Sequence, residues 1–382
     1  MNLNDYFDPT SVAPLPNGLD RKDSVAGKLQ MGFDRNKNIP KNTLVIFGVN
    51  ESRNSNNPGA ANAADNIRKY LYSLSGSVIK HPLIELGNLK QTTSPANTYI
   101  AFTDVARYFV EQGATCIILG GTQELTWPLF LGIAENVKPA NVTIVDQTID
   151  LSQCSGDFSS GCFVEKFIHE PADRLYNLCL LGFQGYLTST GNINALQKAD
   201  AELIRLGAVR SAMEEVEPIL RDSTIVSIDI GCIRQGDSPG AINPSPNGFY
   251  AEELCQLARY AGKSHRMKAI GFFEYNTQCD PIGQTAHLTA QAVWHFIEGF
   301  NSSLRNRNVA NPQYFKKYYV KSPIPNVEMV FLNNTLDETW WMEYPDAGNS
   351  ATNPKVIACS YNDYLAASKG EIPERWIRHS KK

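Results

Sequence analysis

Aspartates placed just after hydrophobic runs carry most of the chemistry open to this chain. Three polar stretches stand out: Gly120-Gly121-Thr122-Gln123-Glu124, Val145-Asp146-Gln147-Thr148-Ile149-Asp150 and Ser227-Ile228-Asp229-Ile230-Gly231. They follow Cys116-Ile117-Ile118-Leu119, Val142-Thr143-Ile144-Val145 and Thr224-Ile225-Val226-Ser227, which read as buried strands. A fourth run, Ala269-Ile270-Gly271-Phe272-Phe273, delivers Glu274 in the same way. Open α/β sheets bind ligands beyond the carboxyl ends of parallel strands, so these stretches are expected to meet in one crevice. Carboxylates gathered there have two uses. Asp146, Asp150 and Asp229 can hold a divalent cation, and an all-oxygen set suits magnesium, calcium or manganese better than zinc. They can equally cap strand ends, bonded to N–H groups of the following loops or paired with Arg234 or a lysine. With no positive partner they would repel one another and raise their own pKa values.

Other reactive side chains give weaker signals. Cys162 and Cys232 lie inside the polar loops and offer nucleophiles, but no histidine neighbours either in sequence, which favours small packed residues. His81, His169, His265, His287, His295 and His379 are scattered, and none forms a metal-ligand spacing with another.

The order and spacing of the three stretches resemble the ureohydrolase family, which comprises arginase, agmatinase and formimidoylglutamase. There the motifs read Gly-Gly-Asp-His, Asp-x-His-x-Asp and Ser-x-Asp-x-Asp, and they hold two manganese ions that activate a bridging hydroxide. Carried over, the first histidine falls on Gln123, the middle motif on Asp146, Thr148 and Asp150, and the final pair on Asp229 and Gly231. Gln123, Thr148 and Gly231 are thus lost ligand positions, and the ligands that remain are all aspartates. The family's loop histidine has no counterpart between Gly156 and Cys162. Pro58-Gly59-Ala60 through Ile67-Arg68 is similar to a family segment near the first strand, with Ala64 where proline is usual. Ser160-Gly161-Cys162-Phe163 and Leu175 through Gln184 are nearer the formimidoylglutamase branch. Phe273-Glu274-Tyr275-Asn276 resembles Glu-Val-Asn-Pro, in which the glutamate faces the substrate's guanidinium or formimino group, so Glu274 is the expected substrate contact.

The match covers roughly residues 40 to 305. It implies a three-layer arginase-like α/β fold, a parallel sheet with helices on both faces, and a trimeric or hexameric homo-oligomer. A two-manganese cluster is not expected. The first functional expectation is a non-catalytic binding, structural or regulatory homologue. The alternative is a C–N hydrolase of linear amidines or guanidines that uses one cation (Mn, Mg or Ca) on Asp146, Asp150 and Asp229, with the amide oxygen of Gln123 in place of an imidazole. A reaction at Cys162 or Cys232 ranks lowest.

The rest of the chain must position these groups. It has 382 residues, 42% apolar and 19% charged, with a net charge of −4. No Lys/Arg cluster offers a footprint for nucleic acid or an anionic membrane. No stretch approaches the roughly 20 apolar residues of a membrane span. The start lacks a signal peptide's basic and apolar regions, and the 8 cysteines show no disulfide rhythm, so reduced thiols and a cytoplasmic location are expected. Residues 1–42 read as a surface segment with little periodicity. Residues 43–305 alternate strands with helices: a first strand at Leu44 to Val49, and helices at Ala63 to Leu74, Tyr99 to Gln112, Ala195 to Leu206 and Ala251 to Ala261. Residues 306–382 form an aromatic-rich extension. It should hold a β-hairpin (Val327 to Leu332 and Glu338 to Glu343), followed by the apolar run Val356 to Cys359 and a helix at Tyr361 to Ser368. Trp340, Trp341 and Trp376 must be covered, by the core of this chain or by a protein partner.

Overall fold

The computed structural model describes residues 1–15, 19–32, 39–152, 158–306, 312–325, 327–344 and 355–380. The main sheet has ten strands: β1 (Phe7–Asp8), β2 (Gln30–Met31), β3 (Leu44–Val49), β4 (Leu83–Leu89), β5 (Thr115–Leu119), β6 (Ala140–Val145), β7 (Leu175–Phe183), β8 (Glu202–Arg205), β9 (Ile225–Asp229) and β10 (Ala269–Phe273). Their spatial order is β1-β4-β3-β5-β10-β9-β6-β7-β8, with β2 also paired to β4, and β1 alone runs antiparallel to its neighbour. Aliphatic and β-branched residues fill the central strands, buried on both faces as parallel sheets require.

Helices cover both faces. Ala63–Leu71, Ala251–Gly262 and the start of Gln284–Asn306 pack on one side, where Ile67, Leu257 and Val293 are fully buried. Pro95–Glu111 and Thr126–Ala134 pack on the other, around Phe102, Phe109 and Phe130. Arg68 fixes helix Ala63–Leu71 to β4 from a position without solvent exposure: its Nη2 lies 2.9 Å from Glu85 Oε1, and the Tyr72 hydroxyl also donates to Glu85. Breaking such a buried pair from one side is costly, so this joint sets the helix against the sheet.

Register sets the site. Phe272 of β10 lies opposite Leu119 of β5 and Ile228 of β9, Phe273 lies opposite Asp229, and Val145 of β6 pairs with Ile228. The carboxyl ends of β5, β10, β9 and β6 therefore end side by side at one level, as the sequence pattern required.

Three local expectations fail. Residues 195–206 are not one helix: the helix is Thr190–Lys198, and 202–205 form β8, an edge strand whose propensity is overridden by pairing with β7. The first 42 residues are not merely a wrap, since β1 and β2 extend the sheet through β4. Among the cysteines, Cys162 is in a disulfide whose partner lies outside the described residues, while six others are free thiols.

The C-terminal extension is a separate four-stranded antiparallel sheet, β11 (Phe315–Lys321), β12 (Glu328–Asn334), β13 (Trp340–Tyr344) and β14 (Lys355–Cys359), followed by helices Tyr361–Ser368 and Glu374–Ser380. The expected hairpin is β12–β13; β11 and β14 are additional. The sheet docks on the core through Arg221, whose guanidinium donates to the carbonyls of Trp340 (2.8 Å) and Cys359 (3.3 Å) and sits 4.3 Å from the Trp341 ring. Tyr176 bonds both Tyr344 and His379 across the same joint. Trp341 and Trp376 are buried, and Trp340 stacks on Tyr364. No helix among the described residues is long and apolar enough to cross a membrane.

Candidate functional site

Gly120 and Gly121 turn the chain sharply after β5, both at positive φ (76° and 77°). A Cβ on Gly120 would lie 2.9 Å from the Ala63 Cβ, and one on Gly121 would lie 2.9 Å from the Val49 carbonyl oxygen, so only glycine lets this turn close. The turn aims the Gln123 N–H at Glu274 Oε1, 2.9 Å away. Glu274 itself follows β10 at φ 64°, in a left-handed conformation that a non-glycine residue adopts at a cost of about 1 kcal/mol or more. Asn57 Nδ2 donates to both its carboxylate (2.8 Å) and its carbonyl (3.0 Å), holding that conformation from the loop after β3.

The aspartates are tied by their own loops. Asp146, after β6, accepts from Thr148 N (3.1 Å) and Thr148 Oγ1 (3.2 Å), and the same hydroxyl reaches Asp150 at 3.2 Å. Asp229 ends β9 and caps the turn Ile230–Cys232, with Gly231 N donating at 2.6 Å. A Cβ at Gly231 would stand 3.0 Å from Asp229 Oδ1 and 3.3 Å from Gln147 Nε2, so a side chain there would press on both groups and need them to shift by a few tenths of an ångström. Gln123 Nε2 donates to Ser227 Oγ (3.2 Å), and its buried Oε1 has no hydrogen-bond partner.

These groups surround a crevice of about 600 Å³. Asp150, Asp229, Glu274, Thr148 and Gly231 line it, whereas Asp146 and Gln123 lie behind its wall. Asn54 to Asn57, Gln147, Ser159, Ser160 and Asn243 add a wall dense in amides and hydroxyls beside Arg53, and among the described residues no histidine lines it. Sequence reading missed the Asn54 to Asn57 segment. Its signal was present, a polar run directly past the carboxyl end of β3.

Among the described residues, no cationic side chain is paired with Asp146, Asp150 or Asp229, and Arg234, the expected partner, bonds Asp237 at 2.8 and 2.9 Å instead. Burial first, and then the charge of Asp146 and Glu274, holds Asp150 and Asp229 well above the usual carboxylate range. Burial raises Asp146 to about 6 against the pull of Thr148, and raises Glu274 as well. Glu124, buried beside Glu274, reaches about 8. The acidic end therefore attracts any cation that can enter. Among the described residues, no group of three or more His, Cys, Asp or Glu side chains is placed to hold a metal ion.

The two cysteines serve poorly as nucleophiles. Cys162 is in a disulfide. Burial and then the charge of Asp229 push the Cys232 thiol far up, so its thiolate is scarce at neutral pH.

Comparison with known proteins agrees with this geometry. The arginase-family profile matches residues 42–298. A formimidoylglutamase from an Enterobacter species is 24% identical over 272 residues, 67% of this chain and 86% of that protein. The formimidoylglutamase structure from Bacillus subtilis superposes with a TM-score of 0.68 at 18% identity, covering 78% of this chain and 97% of its own. Trypanosoma cruzi formiminoglutamase, solved with manganese, gives 0.62 at 17% identity over 67% of this chain and 93% of its own. The profile match over most of the chain, with the strand order it implies, places the chain in the arginase family, and the curated relatives it resembles are formimidoylglutamases.

Proposed function

We propose that this chain is a binding homologue of the arginase family that does not hold the two-manganese cluster. One observation carries the reading: where an imidazole and a carboxylate would be expected stand a threonine and a glycine, and these residues donate to the aspartates that remain. Thr148 N and Oγ1 serve Asp146, and Gly231 N serves Asp229. Two cations about 3.5–4 Å apart each need their own ligands, and a hydroxyl and a glycine do not supply the charge of an imidazole and a carboxylate. The donor set does not fit the pair. What fits the acidic crevice is an organic cation with several N–H groups, a guanidinium or amidinium, with Glu274 as its contact. By likeness to the family, the chain would work as a homo-oligomer, and the extension would serve that assembly or a protein partner.

A second reading has its own support. After burial, the charge of Asp146 raises the pKa of both Asp150 and Asp229, and the unpaired Oε1 of Gln123 is a further oxygen donor. One divalent ion there would make the chain a single-metal C–N hydrolase. The test follows binding and product release together, using guanidino and formimino compounds with and without manganese. Saturable binding without release of urea, ammonia or formamide is expected. Manganese-dependent product release that is lost in Asp150→Asn overturns the binding-only reading.

A further inference from the structure

The crevice does not end at its acidic floor. A second cavity of about 520 Å³ shares Gln147, Thr148, Ile242 and Asn243 with it and runs on between Tyr186-Leu187 and the loop from Pro244 to Asn247. The two halves differ in chemistry. The first holds Asp150, Asp229 and Glu274, and the guanidinium that lines it, Arg53, is committed to Glu51 at 2.5 Å. Among the described residues, nothing that lines the second carries a charge.

Its walls are apolar, exposed and held in place. Tyr186 is 68% exposed, Leu187 43% and Ile242 40%. Single exposed apolar residues need no explanation, but three on the walls of one cavity do. The Tyr186 hydroxyl donates to Gln184 Oε1, and Gln184 Nε2 donates to the Asn247 carbonyl at 3.1 Å, which ties one wall to the other. The loop beyond is anchored by Arg210 on the Gly248 carbonyl, and the Tyr250 ring lies 4.2 Å from the guanidinium carbons of Arg210 and Arg234. A shelf fixed in this way loses little freedom when covered, which favours binding. At the junction of the halves, Gln147 is 8% exposed and its Oε1 has no hydrogen-bond partner, so an acceptor waits there.

We propose that crevice and shelf form one elongated site for a monosubstituted guanidine or amidine whose arm is uncharged and apolar. The proposal rests on the reading of the acidic crevice as the seat of an organic cation. The cationic head sits among Asp150, Asp229 and Glu274, its N–H groups meeting acceptors. The arm passes Gln147 and lies on Tyr186, Leu187 and Ile242. An arm ending in a carboxylate would be stripped of water against a wall that offers no counter-charge, which disfavours amino-acid tails.

Calorimetric titration of the full chain with three probes tests this: methylguanidinium, N-phenethylguanidinium and 4-guanidinobutanoate. N-phenethylguanidinium is expected to bind about tenfold more tightly than methylguanidinium, a difference of about 1.4 kcal/mol, with 4-guanidinobutanoate no tighter than methylguanidinium. Leu187→Ser and Tyr186→Ser, both at exposed positions and checked for folding by circular dichroism, should each narrow the gap to about threefold. Methylguanidinium binding with no gain from the aromatic arm overturns the shelf alone. Preference for the carboxylate arm, or a gap unmoved in both variants, overturns it equally. Binding of none of the three overturns the cation-seat reading as well.

Discussion

Replacing Asp229 by asparagine should stabilise this protein, although the residue is largely enclosed and hydrogen-bonded. Asp229 shares its site with Asp146, Asp150 and Glu274, and no cation among the described residues offsets their charge. Burial holds Asp146 near 6 against an ordinary value of 3.8, so keeping that one group ionised at neutral pH costs roughly 3 kcal/mol at about 1.4 kcal/mol per unit. The cost is shared within the cluster, and removing one charge relieves part of it. Asparagine keeps an acceptor for Gly231 N–H but weakens a charge-assisted bond by about 1 kcal/mol. The net gain is about 1–2 kcal/mol at pH 7.5, a rise of a few degrees in Tm. The sign with pH is fixed by linkage. A carboxyl raised in the folded state contributes stability that is full below its unfolded value, near 3.8, and is lost as pH rises through the folded value. The advantage of Asp229→Asn should therefore vanish near pH 4 and grow toward neutrality. Thermal unfolding of both proteins in chelator from pH 4 to pH 8 measures it. A variant less stable than wild type at pH 7.5, or an advantage independent of pH, would refute the account of an uncompensated acidic cluster.

Two further outcomes are expected. In native protein at pH 8, iodoacetamide should label exposed Cys279 and spare Cys232, whose thiol is buried and pushed up; comparable labelling of both by peptide mass spectrometry contradicts the inert-thiol account. Arg221→Ala removes the guanidinium that joins Trp340, Cys359 and Trp341 to the core and weakens the hold on Glu217, so urea unfolding should show a loss of about 3 kcal/mol, with faster protease cleavage within the extension. A loss within about 0.5 kcal/mol would mean that the extension docks by other contacts.

Much of the site was legible because strand-end chemistry is local. A run such as Cys116 to Leu119 announces a buried strand, and the polar residues that follow must lie at its carboxyl end. The register of β5, β10, β9 and β6 then does the rest. Less visible was what depends on pairing across distance. Residues 202–205 look helical in isolation but become an edge strand because β7 offers them a partner. The commitment of Arg234 to Asp237 could not be chosen over the aspartate cluster from sequence, since Asp229 and Asp237 both stand within five positions of it. The shelf of Tyr186, Leu187 and Ile242 joins two loops more than 50 positions apart, and only the fold brings them to one cavity.

Elemental analysis of the purified protein, before and after incubation with manganese and beside an Asp229→Ala control, bears most directly on whether the family's cluster has been given up. Substoichiometric metal that does not differ between wild type and control is the expected result. Two equivalents of manganese in wild type, lost in the control, would contradict the account; one equivalent would move the protein to the single-metal hydrolase reading.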